Sequence, residues 1–178
     1  GKCQGHVDMK WCPGVDFSAG SLGMGLSFGL GCAVAARLDK SERRTFVMIG
    51  DGEIQEGSVW EAAMAAAHHE VGNLKVILDR NRIQNDDFCE AQMRMFDIPA
   101  KWRAFGWEVK EIDGHNMEEV MSGLDFLEAT NDKPAILIAH TIKGAGVSFM
   151  ENNPSFHGAA PNDEQFAQAM LELGEVIA

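Results

Sequence analysis

Apolar residues fall along this chain in two rhythms. Residues 45–49 and 74–78 are short runs of β-forming side chains, residues 134–141 are more continuously apolar, and 106–116 is a strand-like segment ending in a polar turn. Between them, residues 25–38, 56–69, 97–105, 117–129 and 162–176 carry apolar side chains at spacings of three and four, the period of amphipathic helices. In the fourth of these, Met117, Val120, Met121, Leu124 and Leu127 form the stripe expected to face a core. Strands and helices alternate, and a helix-length crossover joins strands that lie parallel in one sheet. The pattern predicts an α/β fold, a parallel sheet flanked by helices. Alanines at 62, 63, 65, 66 and 67, and the glycines of the 20–31 region, leave small faces on which a neighbouring helix or subunit can approach closely.

That topology gives the turns after the strands one common location, the carboxyl edge of the sheet, where open α/β sheets bind ligands. Asp51 follows the first run, in Gly50-Asp51-Gly52, and Asn81 follows the second, in Asp79-Arg80-Asn81. One carboxylate and one carboxamide oxygen suit a hard cation such as Mg²⁺, which keeps few protein ligands and takes the rest from phosphate and water. Gly50 and Gly52 let the backbone approach a phosphate, and the following helix offers its N-terminal dipole. Lys143, beside Gly144 and just past the third run, is placed as a point charge for a phosphate on the same edge. Other signatures fail on context. Gly25-Leu26-Ser27-Phe28-Gly29 has the G-x-S-x-G spacing, but no strand precedes its serine. Residues 79–90 imitate a calcium loop until Ile83 and Gln84 occupy its fifth and sixth places. His68-His69-Glu70 lacks the zinc spacing H-E-x-x-H, so both imidazoles are read as helix-end residues.

Composition narrows the picture. With 178 residues and 46% apolar content there is material for one sizeable core, and no repeat or linker divides it, so residues 1–178 read as a single domain. A net charge of −12 and a pI near 4.8 argue against nucleic acid or an anionic membrane surface as partners. No apolar run is long enough to cross a bilayer. Cys3, Cys12, Cys32 and Cys89 show neither C-x-x-C nor zinc spacing, so reduced thiols and a cytoplasmic setting are expected.

Gly50-Asp51-Gly52 followed thirty residues later by Asn81 resembles the thiamine-diphosphate fingerprint, and Glu53-Ile54-Gln55-Glu56-Gly57-Ser58-Val59-Trp60-Glu61-Ala62 looks like transketolase in particular. Five ordered motifs carry the resemblance over essentially the whole chain. It implies that Asp51, Asn81 and the backbone carbonyl of Ile83 hold Mg²⁺ (or Ca²⁺ or Mn²⁺) against the diphosphate of thiamine diphosphate. Gly20, Ser21 and Leu22 resemble the turn that meets the aminopyrimidine through backbone groups. His6, in Gly5-His6-Val7 ahead of Pro13-Gly14-Val15, resembles a substrate-channel histidine, although the family's proline after it is Val7 here. His157, in Phe156-His157-Gly158, resembles the histidine that reaches the diphosphate and the reacting centre, and Lys143 joins it there. Glu56 and Glu61, which otherwise read as carboxylates near a helix N-terminus, align with acids linking two active sites across a dimer. His115 is read as structural.

The resemblance implies transfer of a two-carbon ketol unit from a ketose phosphate to an aldose phosphate, with the cofactor supplying the carbon nucleophile. It also implies that the family domain begins upstream, so that its first strand and helices are lacking here. A pyrimidine-binding subunit would complete the site, in a homodimer of such pairs, and the chain alone would be inactive. The alternatives are a related thiamine enzyme (a deoxyxylulose-phosphate synthase or a 2-oxo-acid dehydrogenase subunit) and a non-catalytic assembly subunit.

Overall fold

The structure, a computed structural model, describes residues 5–85 and 87–177, with side chains to 174; Cys3 lies outside them. Among the described residues four strands, β1 (Thr45–Gly50), β2 (Leu74–Arg80), β3 (Glu108–Asp113) and β4 (Ala135–His140), form one sheet in the order β1-β2-β4-β3. Every pairing is parallel, and Gly50 lies opposite Asp79, which lies opposite Ala139. The expected parallel neighbours are therefore β1 and β2. The helices are α1 (Met24–Leu38), α2 (Gly57–His68), α3 (Cys89–Gln92), α4 (Ile98–Ala104), α5 (Met117–Ala129) and α6 (Asp163–Ile177).

Side-chain alternation sorts the core into two layers. Val47, Ile49, Leu74, Val76, Leu78, Ile136 and Ile138 project to one face and pack with Ala62, Ala63 and Ala66 of α2 and Leu26 and Ala33 of α1. The alanine face does what small side chains permit, since α1 and α2 pack directly against each other. Gly29 brings α1 onto β1 so closely that a Cβ there would overlap Val47. Trp102 of α4 is fully buried in this layer, between the rings of Trp60 (5.1 Å) and Trp107 (4.9 Å).

The opposite face holds Ile112, Ala135, Leu137 and Ala139, covered by Leu127 of α5. The stripe expected on this helix faces the sheet at Val120, Leu124 and Leu127 but not at its two methionines. Met117 (67% exposed) and Met121 (58%) face outward, and the contact centres on Gly123, where a Cβ would stand 2.7 Å from Leu137. A helix can approach a sheet most closely where it carries no side chain, so the glycine sets the contact face and the methionines rotate away. Caps fix the helix starts: Asn116 accepts from the Glu118 and Glu119 amides, Asp97 from Ala100, and Asn162 from Gln165.

The second face also buries a charge. Lys75, on central strand β2, is fully buried, and its Nζ donates to the Thr130 carbonyl at the end of α5. Burial, and then the Arg44 guanidinium, lower the lysine from its ordinary value near 10.5 to about 8. The charged form therefore costs folding free energy on the order of 3 kcal/mol at neutral pH. That cost disappears as pH rises from about 8 to about 10.5. Compared with Lys75→Met by urea unfolding, the wild-type chain should gain about 2 kcal/mol relative to the variant between pH 7.5 and 9.5. A difference that stays flat over that window would show that the ammonium is not desolvated.

Candidate functional site

The carboxyl edge of β1 and β2 converges on one carboxylate. Gly50 ends β1, and Asp51, in the turn that follows, is 1% exposed. Its backbone N–H donates to the Asp79 carbonyl (3.2 Å), which extends the β1–β2 ladder by one bond into the turn. Asp51 Oδ2 accepts from Arg82 N (2.5 Å) and Arg80 Nη1 (3.2 Å), and Oδ1 from Cys89 Sγ (3.3 Å). Both oxygens therefore meet donors that flank Asn81 or follow it in the chain. Burial first, and then the Asp51 carboxylate, push the Cys89 thiol up to about 12, so this sulfur stays a thiol donor at physiological pH.

Asn81 occupies the loop between those donors. Its Nδ2 donates to Asp79 Oδ2 (2.9 Å), and its Oδ1 accepts from Ile83 N (3.0 Å), which holds the amide in a local turn. Thr141 Oγ1 donates to the other Asp79 oxygen. An amide oxygen has two lone pairs, so the bond from Ile83 N leaves Asn81 Oδ1 one acceptor position. Ile83 has a buried side chain and bridges Phe88 as a short antiparallel pair, with Arg82 before it in the left-handed region (φ 69°). Among the described residues no three His, Cys, Asp or Glu side chains converge on a metal position. A cation here would rest on one carboxylate, amide and carbonyl oxygens, and its ligand's own oxygens. The donor set fits a hard ion, while the guanidinium, N–H and thiol groups facing Asp51 satisfy its carboxylate from within the chain.

A second carboxylate joins the flanking turns. Glu53, in the 3-10 turn Glu53–Gln55, accepts from Gly50 N (3.0 Å) with one oxygen and from Gly23 N (2.9 Å) with the other. Gly23 caps α1 in the left-handed conformation (φ 80°), and its carbonyl accepts from Ser58 Oγ (3.2 Å) of α2. The segment containing Gly20, Ser21 and Leu22 is thereby tied to the Gly50-Asp51-Gly52 turn. Gly52 packs on the same loop, since a Cβ there would lie 2.7 Å from Gln84 Cβ. The His6 ring lies against Gly20, 3.9 Å from the place its Cβ would occupy.

Lys143 and His157 are held by a different segment, the one that follows β4. It starts beside the site, with Thr141 N donating to the Arg80 carbonyl (3.3 Å), and Lys143 is half-buried two residues on. His157 ends the turn Pro154–Phe156 and is exposed. His115 ties this segment to the turn after β3 by accepting from Ile142 N (2.8 Å) at Nε2, a structural role. Glu56 and Glu61, at the start of α2, are exposed, as are Ser21 and Leu22 (62%). Burial falls steeply from the Asp51 end of this edge towards these residues.

Sequence reasoning did not single out Glu53, Arg80 or Cys89. Glu53 follows Gly50 by the three-residue spacing of a capping box, a partial signal; its bond to Gly23, thirty residues away, has none.

The fold and this edge define a parallel α/β domain whose polar site lies at the ends of its first two strands. Residues 1–176 match the family model described as transketolase, thiamine diphosphate binding domain, and the chain belongs to that family. It is 44% identical over 173 residues to an apulose-4-phosphate transketolase subunit of Phocaeicola vulgatus, covering 97% of this chain and 61% of that protein. It is 38% identical to a 6-deoxy-6-sulfo-D-fructose transketolase subunit of a Clostridium species, covering 94% and 61%. Crystal structures of the transketolases of Campylobacter jejuni (TM-score 0.85, 28% identity, 90% of this chain, 26% of that one) and Pichia stipitis with sedoheptulose 7-phosphate (0.87, 27%, 96%, 27%) share the fold. The chain thus spans about three fifths of the subunit relatives it matches and about a quarter of these two transketolases.

Glu53→Gln replaces one of the two acceptor oxygens by an NH2 group, which cannot accept the bond from Gly23 N or Gly50 N. It should destabilise the chain by about 1–3 kcal/mol in urea unfolding, with the loss concentrated in amide exchange protection at Gly23 and Gly50. Unchanged protection at both glycines would remove Glu53 from this role.

Proposed function

We propose that the carboxyl edge of β1 and β2 binds thiamine diphosphate through a divalent cation, Mg²⁺ or a substitute such as Ca²⁺ or Mn²⁺. The assembled enzyme transfers a two-carbon ketol unit from a ketose phosphate to an aldose phosphate. The observation that carries this reading is the buried Asp51 carboxylate, held by the loop around Asn81, in a chain of the thiamine diphosphate binding family. Asp51, Asn81 and the Ile83 carbonyl hold the cation. Gly50 and Gly52 let the diphosphate come close, with Lys143 and His157 as its cationic and imidazole contacts. When bound, the cofactor supplies a carbon nucleophile towards the ketose carbonyl.

The chain's own contribution is position and charge. The buried Asp51 end fixes the cation, and Gly20, Ser21 and Leu22 present backbone groups to the aminopyrimidine. His6 and His157 face the reacting end as hydrogen-bond partners for substrate oxygens. The exposure of His157, Leu22, Glu56 and Glu61 supports a site closed by a second surface, a pyrimidine-binding subunit, in a homodimer of such pairs. Two relatives named as transketolase subunits, each longer than this chain, point the same way.

Calorimetric titration with thiamine diphosphate and Mg²⁺ tests the reading. Asp51→Asn should weaken metal-dependent binding by about 100-fold or more, the scale of losing the one charged metal ligand. Ketol transfer should be absent from the chain alone and should require a pyrimidine-binding partner. Metal-independent binding equal in both proteins would overturn the site assignment, and turnover by the chain alone would overturn the two-part active site.

A further inference from the structure

The Asp51 carboxylate already has a cation. Arg80 Nη1 stands 3.2 Å from Asp51 Oδ2, and the arginine side chain is only 13% exposed. Its second terminal nitrogen reaches Glu90 Oε1 at 3.5 Å, and that glutamate is 46% exposed. Arg80 also lines a cavity of about 470 Å³ shared with Arg82, Asp113, His115, His140 and Asn152. Arg80 therefore sits between the carboxylate assigned to the metal and two places it could move into, a second acid and open space.

The two cations exclude each other. Oδ2 accepts from both Arg80 and Arg82 N, and a divalent ion seated on that oxygen at about 2.1 Å leaves no room for the same donors. Charge makes the competition sharper. Asp51 and Arg80 are paired in a poorly hydrated turn, so a bare divalent ion on Asp51 adds an excess of positive charge beside an arginine left with only the more distant, exposed Glu90, and like charges there repel strongly. A metal–diphosphate complex enters without that excess, because the diphosphate's negative charge offsets the ion's. Cys89 Sγ bonds the other oxygen, Oδ1, and would still do so with an ion on Oδ2, so the carboxylate does not need the guanidinium for hydrogen bonding alone.

We infer that Arg80 is a resident counter-cation that shuts Asp51 to free divalent ions, so that metal and diphosphate bind as a unit. The guanidinium is exchanged towards Glu90 and the adjoining cavity as the complex arrives. This rests on the cofactor reading above and adds a role for a residue outside the metal-holding set. Arg80 is a positioning residue in this scheme: it acts through Asp51.

Mn²⁺ and inorganic pyrophosphate serve as probes on the full chain, with bound Mn²⁺ read by electron paramagnetic resonance and no turnover required. Wild-type protein should hold Mn²⁺ at least tenfold more tightly with pyrophosphate than without it. In Arg80→Gln and Arg80→Met, Mn²⁺ alone should bind at least tenfold more tightly than in the wild type, and the advantage given by pyrophosphate should shrink by the same factor. Arg80→Lys, which keeps the charge, should stay close to the wild type. Adding Asp51→Asn to Arg80→Gln should abolish the gain. If wild type binds Mn²⁺ equally well with and without pyrophosphate, the inference fails with no variant needed. If Mn²⁺–pyrophosphate binds but neither neutral variant gains affinity for Mn²⁺ alone, Arg80 is not a counter-cation while the cofactor reading stands. If Mn²⁺–pyrophosphate does not bind at Asp51 at all, both fall.

Discussion

A carboxylate that is almost wholly removed from water must be met by donors or by positive charge, and Asp51 is such a group. Its position is dictated by the sheet, since Gly50 lies opposite Asp79 and the next residue therefore turns into the loop that leaves β2. The loop responds with Arg80, Arg82 N and, from α3, Cys89. Much of the edge is organised around that requirement. Arg82 holds a left-handed conformation that a non-glycine residue seldom adopts, and its N–H makes the shortest of the three bonds to Asp51. Any other cation at this position would have to take over the compensation that Arg80 now supplies.

Two features of the strands allowed the fold to be read from residue order. Central strands buried on both faces appear as continuous apolar runs, and residues 135–139 of β4 are all buried. Crossover helices between such runs admit parallel pairing with few alternatives. The stripe on α5, which meets the core at Val120, Leu124 and Leu127 but not at its methionines, shows where periodicity stops being informative. Met117 and Met121 satisfy the three-and-four pattern as well as Leu127 does, but the contact face is chosen by how closely backbone can approach, and Gly123 fixes that. Lys75 is the counterpart on β2: a charged residue inside an apolar run looks like an exposed position, yet its stem lies under α5 and its ammonium meets the carbonyl of Thr130.

The site was legible where its residues are held by the ends of regular elements. Asp51 and Asn81 could be placed on one edge because each follows a strand of a parallel pair, and topology alone brings such turns together. Glu53 bridging Gly23 to Gly50, and Cys89 donating to Asp51, depend on how loops fold back across the edge. Neither has a spacing rule. Arg80 is harder still: beside Asn81 it reads as an ordinary solvated charge, and only the burial of its neighbour makes it a partner.

The gradient of burial along the edge has a chemical consequence. Electrostatic stabilisation by a cation, an oriented amide or an imidazole is strong only where water is excluded. At the Asp51 end the chain excludes water by itself. At the other end, His6, Ser21, Leu22 and His157 are solvent-facing, so hydrogen bonds offered there compete with water at full strength. A reaction that develops charge near those groups gains from them only once a second surface covers them. The Asp51 end is therefore the part of this edge that the chain organises alone, whereas the groups at the other end would gain electrostatic strength only beneath a covering surface.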